Sequence, residues 1–404
     1  MTVTARPPAR QELGLSAFSP DRPLLLLSDF SPETAGGGAV IIKSLLTPED
    51  RQRIVWLTLS SLKHQGDDKV VSLAPDGARS LLQDGTIRTR ALREAARGVM
   101  RNRNAAAAWF VAHGASLRMA SGLIDAGLPT HVTVHDDPAW GYALMTRRYL
   151  PLAPLLARDL SRTLRAAFSV DVVSGAMADT YRRRYGVTST IIHRGLPGPV
   201  EPAPVYDRRK GLSIAVLGST YGFSELSVLA QALAIAQRRL GVAATLTVIG
   251  GVDETAVRKL CPPNVELEIT GHLDESAGIS RLRESFMSYL SYPFRRRGKM
   301  LRTTSFPTKL STYVLAARPL LLHMPSESSV AFLGASSPYA TLWGSTDPRQ
   351  GAEILEGLWR DDTTTESFDA AADEVREQHF DLARNQASLY AALNGLVSSG
   401  SRGG

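Results

Sequence analysis

The residues that could do chemistry sit at three places in this 404-residue chain. In "YLSYPFRRRGKMLRTTSFPTKLSTYVLAARPLLLHMPSES", a loop of cations (Arg295, Arg296, Arg297, Lys299, Arg302) follows an apolar run. Ser305 or Thr304 can then cap a helix with Pro307 in its first turn, running to about Ala317. Unpaired backbone N–H groups, the positive end of the helix dipole and nearby Lys309 would suit a diphosphate there, although a capped helix beside a solvated basic loop reads the same way. The second place is "THVTVHDDP", where His135 closes an apolar-rich strand. A histidine at a strand's carboxyl end can hydrogen-bond a hydroxyl and put a dipole near developing positive charge. Asp136 and Asp137 beside it do not read as a metal site, because successive side chains on a strand point apart. Asp137, before Pro138, is placed to cap a helix from near Ala139. The third is "SPETAGGGAV", where Gly36, Gly37 and Gly38 fall between a strand and a helix. Glycines there permit close approach of a ligand or of another backbone. The run lacks the spacing of a dinucleotide fingerprint, so a flexible loop and a ligand contact both remain open.

The elements that must position these residues alternate strand, helix, strand, helix, twice over. "RPLLLLSDF", "RIVWLTLS", "AAAWFVAHG", "THVTVHDD", "FSVDVVSG" and "TIIHRG" are the strands of the first series; "LSIAVLGS", "ATLTVIGG", "VELEITGHL", "FMSYLSYPF" and "RPLLLHMP" are those of the second. The pattern predicts an α/β protein of two doubly wound, Rossmann-like domains, with a ligand in a cleft that the strands' carboxyl ends face. The expected boundaries are a flexible N-terminus at 1–21, a first domain at 22–200, a proline-rich linker at 201–211, a second domain at 212–360, and C-terminal helices with a disordered tail at 361–404.

Composition narrows the functional classes. Hydrophobic residues make up 44% of the chain and charged ones 21%, enough to build two cores. The lone cysteine, Cys261, can form no internal disulfide, and neither a signal peptide nor a spanning apolar run is evident, which predicts a cytoplasmic protein. Residues 1–205 hold 25 Lys and Arg against 18 Asp and Glu, whereas residues 206–404 hold 21 of each. Part of that excess lies in "TIRTRALREAARGVMRNRN", where Arg90, Arg93, Arg97 and Arg101 form one stripe if the segment is helical. Arg88 and Arg103 extend it, with Glu94 opposing. The stripe suits an anionic membrane surface or a solvated helix face alike. No aromatic residues interleave with the cations, which argues against nucleic acid.

Taken together, "FSPETAGGGAVIIKSLL", "VTVHDDP", "SVDVVSGAMADTYRRRYGV", "LGSTYGFSEL", "LTVIGG", "ITGHLDE" and "SFPTKLSTYVLAARPLLLH" resemble a GT-B glycosyltransferase. The likeness is to the retaining enzymes of family four, and it covers roughly residues 22–360. It implies transfer of a sugar from a nucleotide-sugar to a hydroxyl of a glycan or lipid-linked acceptor, in bacterial polysaccharide or glycolipid assembly. It further implies retention of configuration and no metal or other cofactor. The second domain would hold the donor through Gly218, Ser219 and Thr220, through Gly271, His272 and Leu273 near the base, and through Ser305, Phe306, Pro307, Thr308 and Thr312. His135 would face the transferred sugar, Lys309 would stabilise the leaving diphosphate, and Gly36 to Gly38 would form a lip over the phosphates. The sequence departs from the family at two points. Thr304 and Thr312 stand where the family has two glutamates, and the usual Arg and Lys are absent from "LGSTYGFSE". A threonine cannot offer a ribose diol two acceptor oxygens. The departures keep two alternatives open: a non-catalytic binding subunit of the same fold, and a sugar-nucleotide epimerase.

Overall fold

The computed structural model describes residues 14–32, 34, 37–58, 69–73, 86–113, 116–139, 153–218, 223–361 and 365–398. They form two compact units, one of residues up to 195 together with residues from 382 onward, the other of 196–381.

The first unit is built on a parallel sheet of seven strands: β1 (Leu24–Ser28), β2 (Ile54–Thr58), β3 (Val70–Ser72), β4 (Ala107–Val111), β5 (Thr130–Val134), β6 (Ser169–Val172) and β7 (Thr190–Ile191). Their spatial order is β3-β2-β1-β4-β5-β6-β7, so the direction of winding reverses between β1 and β4. Every position of β1, β2 and β4 is buried. These runs read as unbroken apolar segments because helices cover both faces of a parallel sheet. One polar ladder crosses the interior. Trp109 Nε1 donates to Thr133 Oγ1 (2.8 Å), Thr133 donates to Asp171 Oδ2 (2.7 Å), and His131 Nε2 lies 2.9 Å from the same oxygen. A buried carboxylate held this way escapes most of the penalty of burial.

The second unit has six parallel strands: β8 (Leu212–Leu217), β9 (Ala244–Ile249), β10 (Glu266–Gly271), β11 (Met287–Ser291), β12 (Leu320–His323) and β13 (Ala340–Trp343). Their order is β10-β9-β8-β11-β12-β13, and winding reverses between β8 and β11. The α/β architecture of two doubly wound sheets therefore stands. The strand readings do too, with β3 and β13 as additions absent from the sequence pattern.

Three stretches differ from expectation. Within the N-terminal segment expected to be flexible, Leu15 and Phe18 are buried in the first unit's core, and the Leu15 N–H donates to Asp50 Oδ1 (2.8 Å). The proline-rich segment belongs to the second unit, where Asp373 accepts the Val200 N–H (2.9 Å) and Asp369 accepts the Ala203 N–H (3.1 Å) from the helix Thr365–Val375. The last helix, Leu382–Ser398, rejoins the first unit. Leu389, Tyr390, Leu393 and Leu396 are buried in that unit's core with Leu24, Leu26, Ile42 and Trp109. The Tyr390 hydroxyl donates to the Leu45 carbonyl (2.9 Å) and contacts Asp50.

Candidate functional site

In the second unit, three strand ends meet as bare backbone. Gly218, Gly250 and Gly271 close β8, β9 and β10 with φ of +68°, +126° and +70°, a region that L side chains rarely enter. Space is short as well as torsion: a Cβ on Gly250 would come within 3.0 Å of the Gly218 Cα, and one on Gly218 within 3.2 Å of Lys309 Cε and 3.4 Å of Nζ. The Lys309 side chain thus lies against the end of β8, beside the point where winding reverses. Burial pushes its ammonium pKa down to about 8.

Lys309 opens the helix Lys309–Ala316. Tyr313, one turn on, fixes that helix: its hydroxyl accepts the Leu217 N–H (2.8 Å) and donates to the Tyr289 carbonyl (2.7 Å), joining the end of β8 to β11. Four residues apart, Lys309 and Tyr313 share a helix face. From sequence alone Tyr313 carried no assigned role. Neither did Glu225, buried at the start of the helix Phe223–Leu240, whose Oε1 accepts the Phe294 N–H (3.1 Å) just past β11.

Several expectations about the approach to this helix need correction. Neither Ser305 nor Thr304 caps it. The supposed basic loop folds into its own short helix, Lys299–Thr304, because Leu301, Arg302 and Thr304 are buried on one side. Thr304 Oγ1 donates back to the Met300 carbonyl (2.7 Å), and Ser305 is the C-cap. The N–H groups expected to face an anion are partly consumed as well: Leu310 N–H bonds the Pro307 carbonyl (2.9 Å) and Ser311 N–H bonds the Thr308 carbonyl (3.1 Å). Arg302 is a strut, only 6% exposed, paired with Glu327 (2.7 Å) and donating to the Pro293 and Arg295 carbonyls. Arg295, Arg296, Arg297 and Lys299 remain exposed. Phe306 packs inward, its ring 5.6 Å from that of His379 and 6.0 Å from that of Phe380. Pro307 is buried, Thr308 partly covered, His272 exposed and Leu273 partly covered. Thr312 donates to Glu275 Oε1 (3.3 Å). Ser219 and Thr220 lie outside the described residues.

In the first unit, the carboxyl ends of β1, β4 and β5 carry Asp29, His113 and His135. Asp29 Oδ1 accepts the Ser116 N–H (2.7 Å), and Oδ2 lies 3.2 Å from His113 Nδ1. Burial pulls the His113 pKa down, but the hydrogen bond and charge of Asp29, with a smaller contribution from the charge of Asp136, outweigh it and hold it above the ordinary value. Nothing in the sequence pattern joins this pair. In His135, burial lowers the pKa despite the pull of Asp171 and Asp136, and Nε2 is buried with no hydrogen-bond partner. Its Nδ1 would lie 3.2 Å from a Cβ on Gly38, and Phe30 Cε1 only 2.8 Å from it. Gly38 is therefore a glycine because two rings pack on it. Gly37 is exposed in the helix's first turn, and Gly36 lies outside the described residues. Asp137 does cap as expected, accepting the Ala139 N–H (3.0 Å), and its other oxygen accepts the Tyr181 hydroxyl (3.1 Å).

The arginine stripe lies on the helix Thr86–Asn102. Arg97 pairs with Glu94 (3.0 Å), Arg93 is partly covered, and Arg101 is exposed, as is Arg103 beyond the helix. The side chains of Arg88 and Arg90 lie outside the described residues. Among the described residues, no three His, Cys, Asp or Glu side chains converge, and no helix is long and apolar enough to cross a membrane.

No protein-family model matches the sequence, and no curated protein matches it. Solved structures do match the fold. HepE of Anabaena, solved with UDP and glucose, aligns at a TM-score of 0.64 and 14% identity over 93% of this chain and 100% of its own. Sucrose-phosphate synthase of Thermosynechococcus elongatus aligns at 0.66 and 13% identity, over 94% and 100%. A Listeria monocytogenes protein assigned as a UDP-N-acetylglucosamine 2-epimerase aligns at 0.59 and 10% identity, over 93% and 96%. At these identities the likeness establishes the fold: two parallel-sheet α/β units of the GT-B type.

Proposed function

We propose that the chain is a glycosyltransferase, moving a sugar from a nucleotide-sugar to a hydroxyl of a glycan or lipid-linked acceptor. The observation that carries this reading is Lys309 laid against the bare end of β8, beside the reversal of winding where open α/β sheets bind their ligands. A diphosphate there would meet an ammonium and backbone that no side chain holds away. HepE, which shares the fold, binds UDP and glucose.

In the reaction, the bond from the anomeric carbon to the diphosphate oxygen breaks as a bond to the acceptor oxygen forms. The acceptor's proton passes to the departing phosphate on the same face, giving retention, and no metal is required. Lys309 stabilises the negative charge growing on the leaving group. His135, neutral at pH 7 because burial lowers its pKa, offers its buried Nε2 to a sugar hydroxyl. Work in polysaccharide or glycolipid assembly in the cytoplasm, with the arginine-bearing helix Thr86–Asn102 against an anionic membrane, completes the proposal.

The test is incubation with UDP-, GDP-, ADP-, CMP- and dTDP-sugars without acceptor, followed by mass spectrometry. One donor should be hydrolysed slowly, and folded Lys309→Ala and His135→Ala variants should lose that activity. The likeness to the Listeria protein favours epimerisation as a second reading. That reading would appear as an altered sugar still joined to its nucleotide. No turnover of any donor would leave the non-catalytic subunit standing.

A further inference from the structure

One turn along the helix from Lys309, the structure places a carboxylate against Thr312 that the sequence alone did not connect to this helix. Glu275 opens the helix Glu275–Arg283, and its Oε1 accepts the hydroxyl of Thr312, three residues along the helix from Lys309. The two helices pack together. Gly278, one turn below Glu275, faces the end of β8: a Cβ there would lie 3.7 Å from Leu217 Cδ1. Both helices thus begin at the carboxyl edge of the sheet, with the Lys309 amine over Gly218 on one and an exposed carboxylate on the other. Glu225, the other carboxylate near the winding reversal, is not equivalent. It is 4% exposed, with Oε1 taken by the Phe294 N–H and Oε2 by the Ser224 hydroxyl.

We infer that Glu275, braced by Thr312, binds the ribose hydroxyls of the nucleotide and makes the site selective for ribonucleoside over deoxyribonucleoside diphosphates. The chemistry follows from what separates the groups. In a nucleoside diphosphate the ribose lies next to the phosphates, and its vicinal hydroxyls are paired donors. A carboxylate is the side chain that accepts from both, and it acts in this way at the ends of other doubly wound sheets. Thr312, with one hydroxyl, contributes by holding Glu275 in place. The inference rests on the proposed nucleotide-sugar reading.

Calorimetry separates the two claims. Wild-type protein is titrated with UDP, GDP and ADP, with the 2′-deoxy form of the tightest binder, and with pyrophosphate. Glu275→Gln should weaken the ribonucleotide about tenfold, the loss expected for a hydrogen bond to a charged group. It should weaken the 2′-deoxy form, which keeps only the 3′-hydroxyl, by a smaller factor and leave pyrophosphate nearly unchanged, so that the ribo-to-deoxy preference shrinks. Thr312→Val should lower the same preference by a smaller factor. Glu275 is exposed, and an unchanged thermal midpoint checks the fold. A ribo-to-deoxy ratio in Glu275→Gln equal to that of wild type overturns the ribose assignment while leaving nucleotide binding intact. Failure of wild type to bind any of the three diphosphates overturns the parent reading and the inference with it.

Discussion

Gly38 and Gly37, neighbours in one glycine run, have different reasons to be glycine. A methyl at Gly38 would press on Phe30 and His135, so Gly38→Ala should cost about 1–3 kcal/mol in urea unfolding and disturb His135 with it. Gly37 is exposed, and Gly37→Val should leave stability within about 0.5 kcal/mol; any loss of transfer there would report a ligand contact. Sequence could show the run but not which glycine carried the packing, because Phe30 and His135 reach Gly38 only in the fold. Lys309 was legible from its place after "SFPT". The Asp29–His113 pair was not, since its members are 84 residues apart and only the order of β1 and β4 makes them neighbours.

At the scale of elements, β12 ends in a histidine that the fold holds neutral. His323 is fully buried, stacked on Trp343 at 3.8 Å, with Nε2 donating to the Ser345 carbonyl (2.8 Å) and Nδ1 2.7 Å from the Tyr289 hydroxyl. Burial pushes its pKa from 6.5 to about 4. The unfolded chain therefore binds a proton that the folded one refuses as pH falls from about 6.5 to 4. Stability should drop across that window by on the order of 3 kcal/mol, and His323→Phe should flatten the dependence in denaturant titrations at stepped pH. The strands themselves were readable, because sheets covered on both faces demand apolar runs. The helix Lys299–Thr304 was not: its cations looked like solvent-facing loop, and nothing local announced that Arg302 would turn inward to Glu327 and two carbonyls.

At the scale of the whole molecule, the last helix supplies core to the unit that begins the chain. Deleting residues 382–404 removes Leu389, Tyr390, Leu393 and Leu396 from that core. At about 1.5–3 kcal/mol for each buried side chain, the loss rivals the stability of an ordinary domain. The truncated chain should lose protection of the first unit in limited proteolysis while the second unit, residues 196–381, stays resistant. Pattern reading placed these helices after the second sheet because sequence order is all that a pattern follows. Two doubly wound sheets were legible for the opposite reason, since alternation of strand and helix dictates them locally. The proposed function stands or falls on whether a diphosphate binds at the end of β8. Titrating UDP, GDP and ADP by calorimetry should show one binding with a single site, more weakly as pH rises through about 8 where Lys309 loses its proton. Lys309→Ala should weaken that binding at least about tenfold with an unchanged thermal midpoint. Absence of binding by all three, or wild-type affinity in Lys309→Ala, would contradict it.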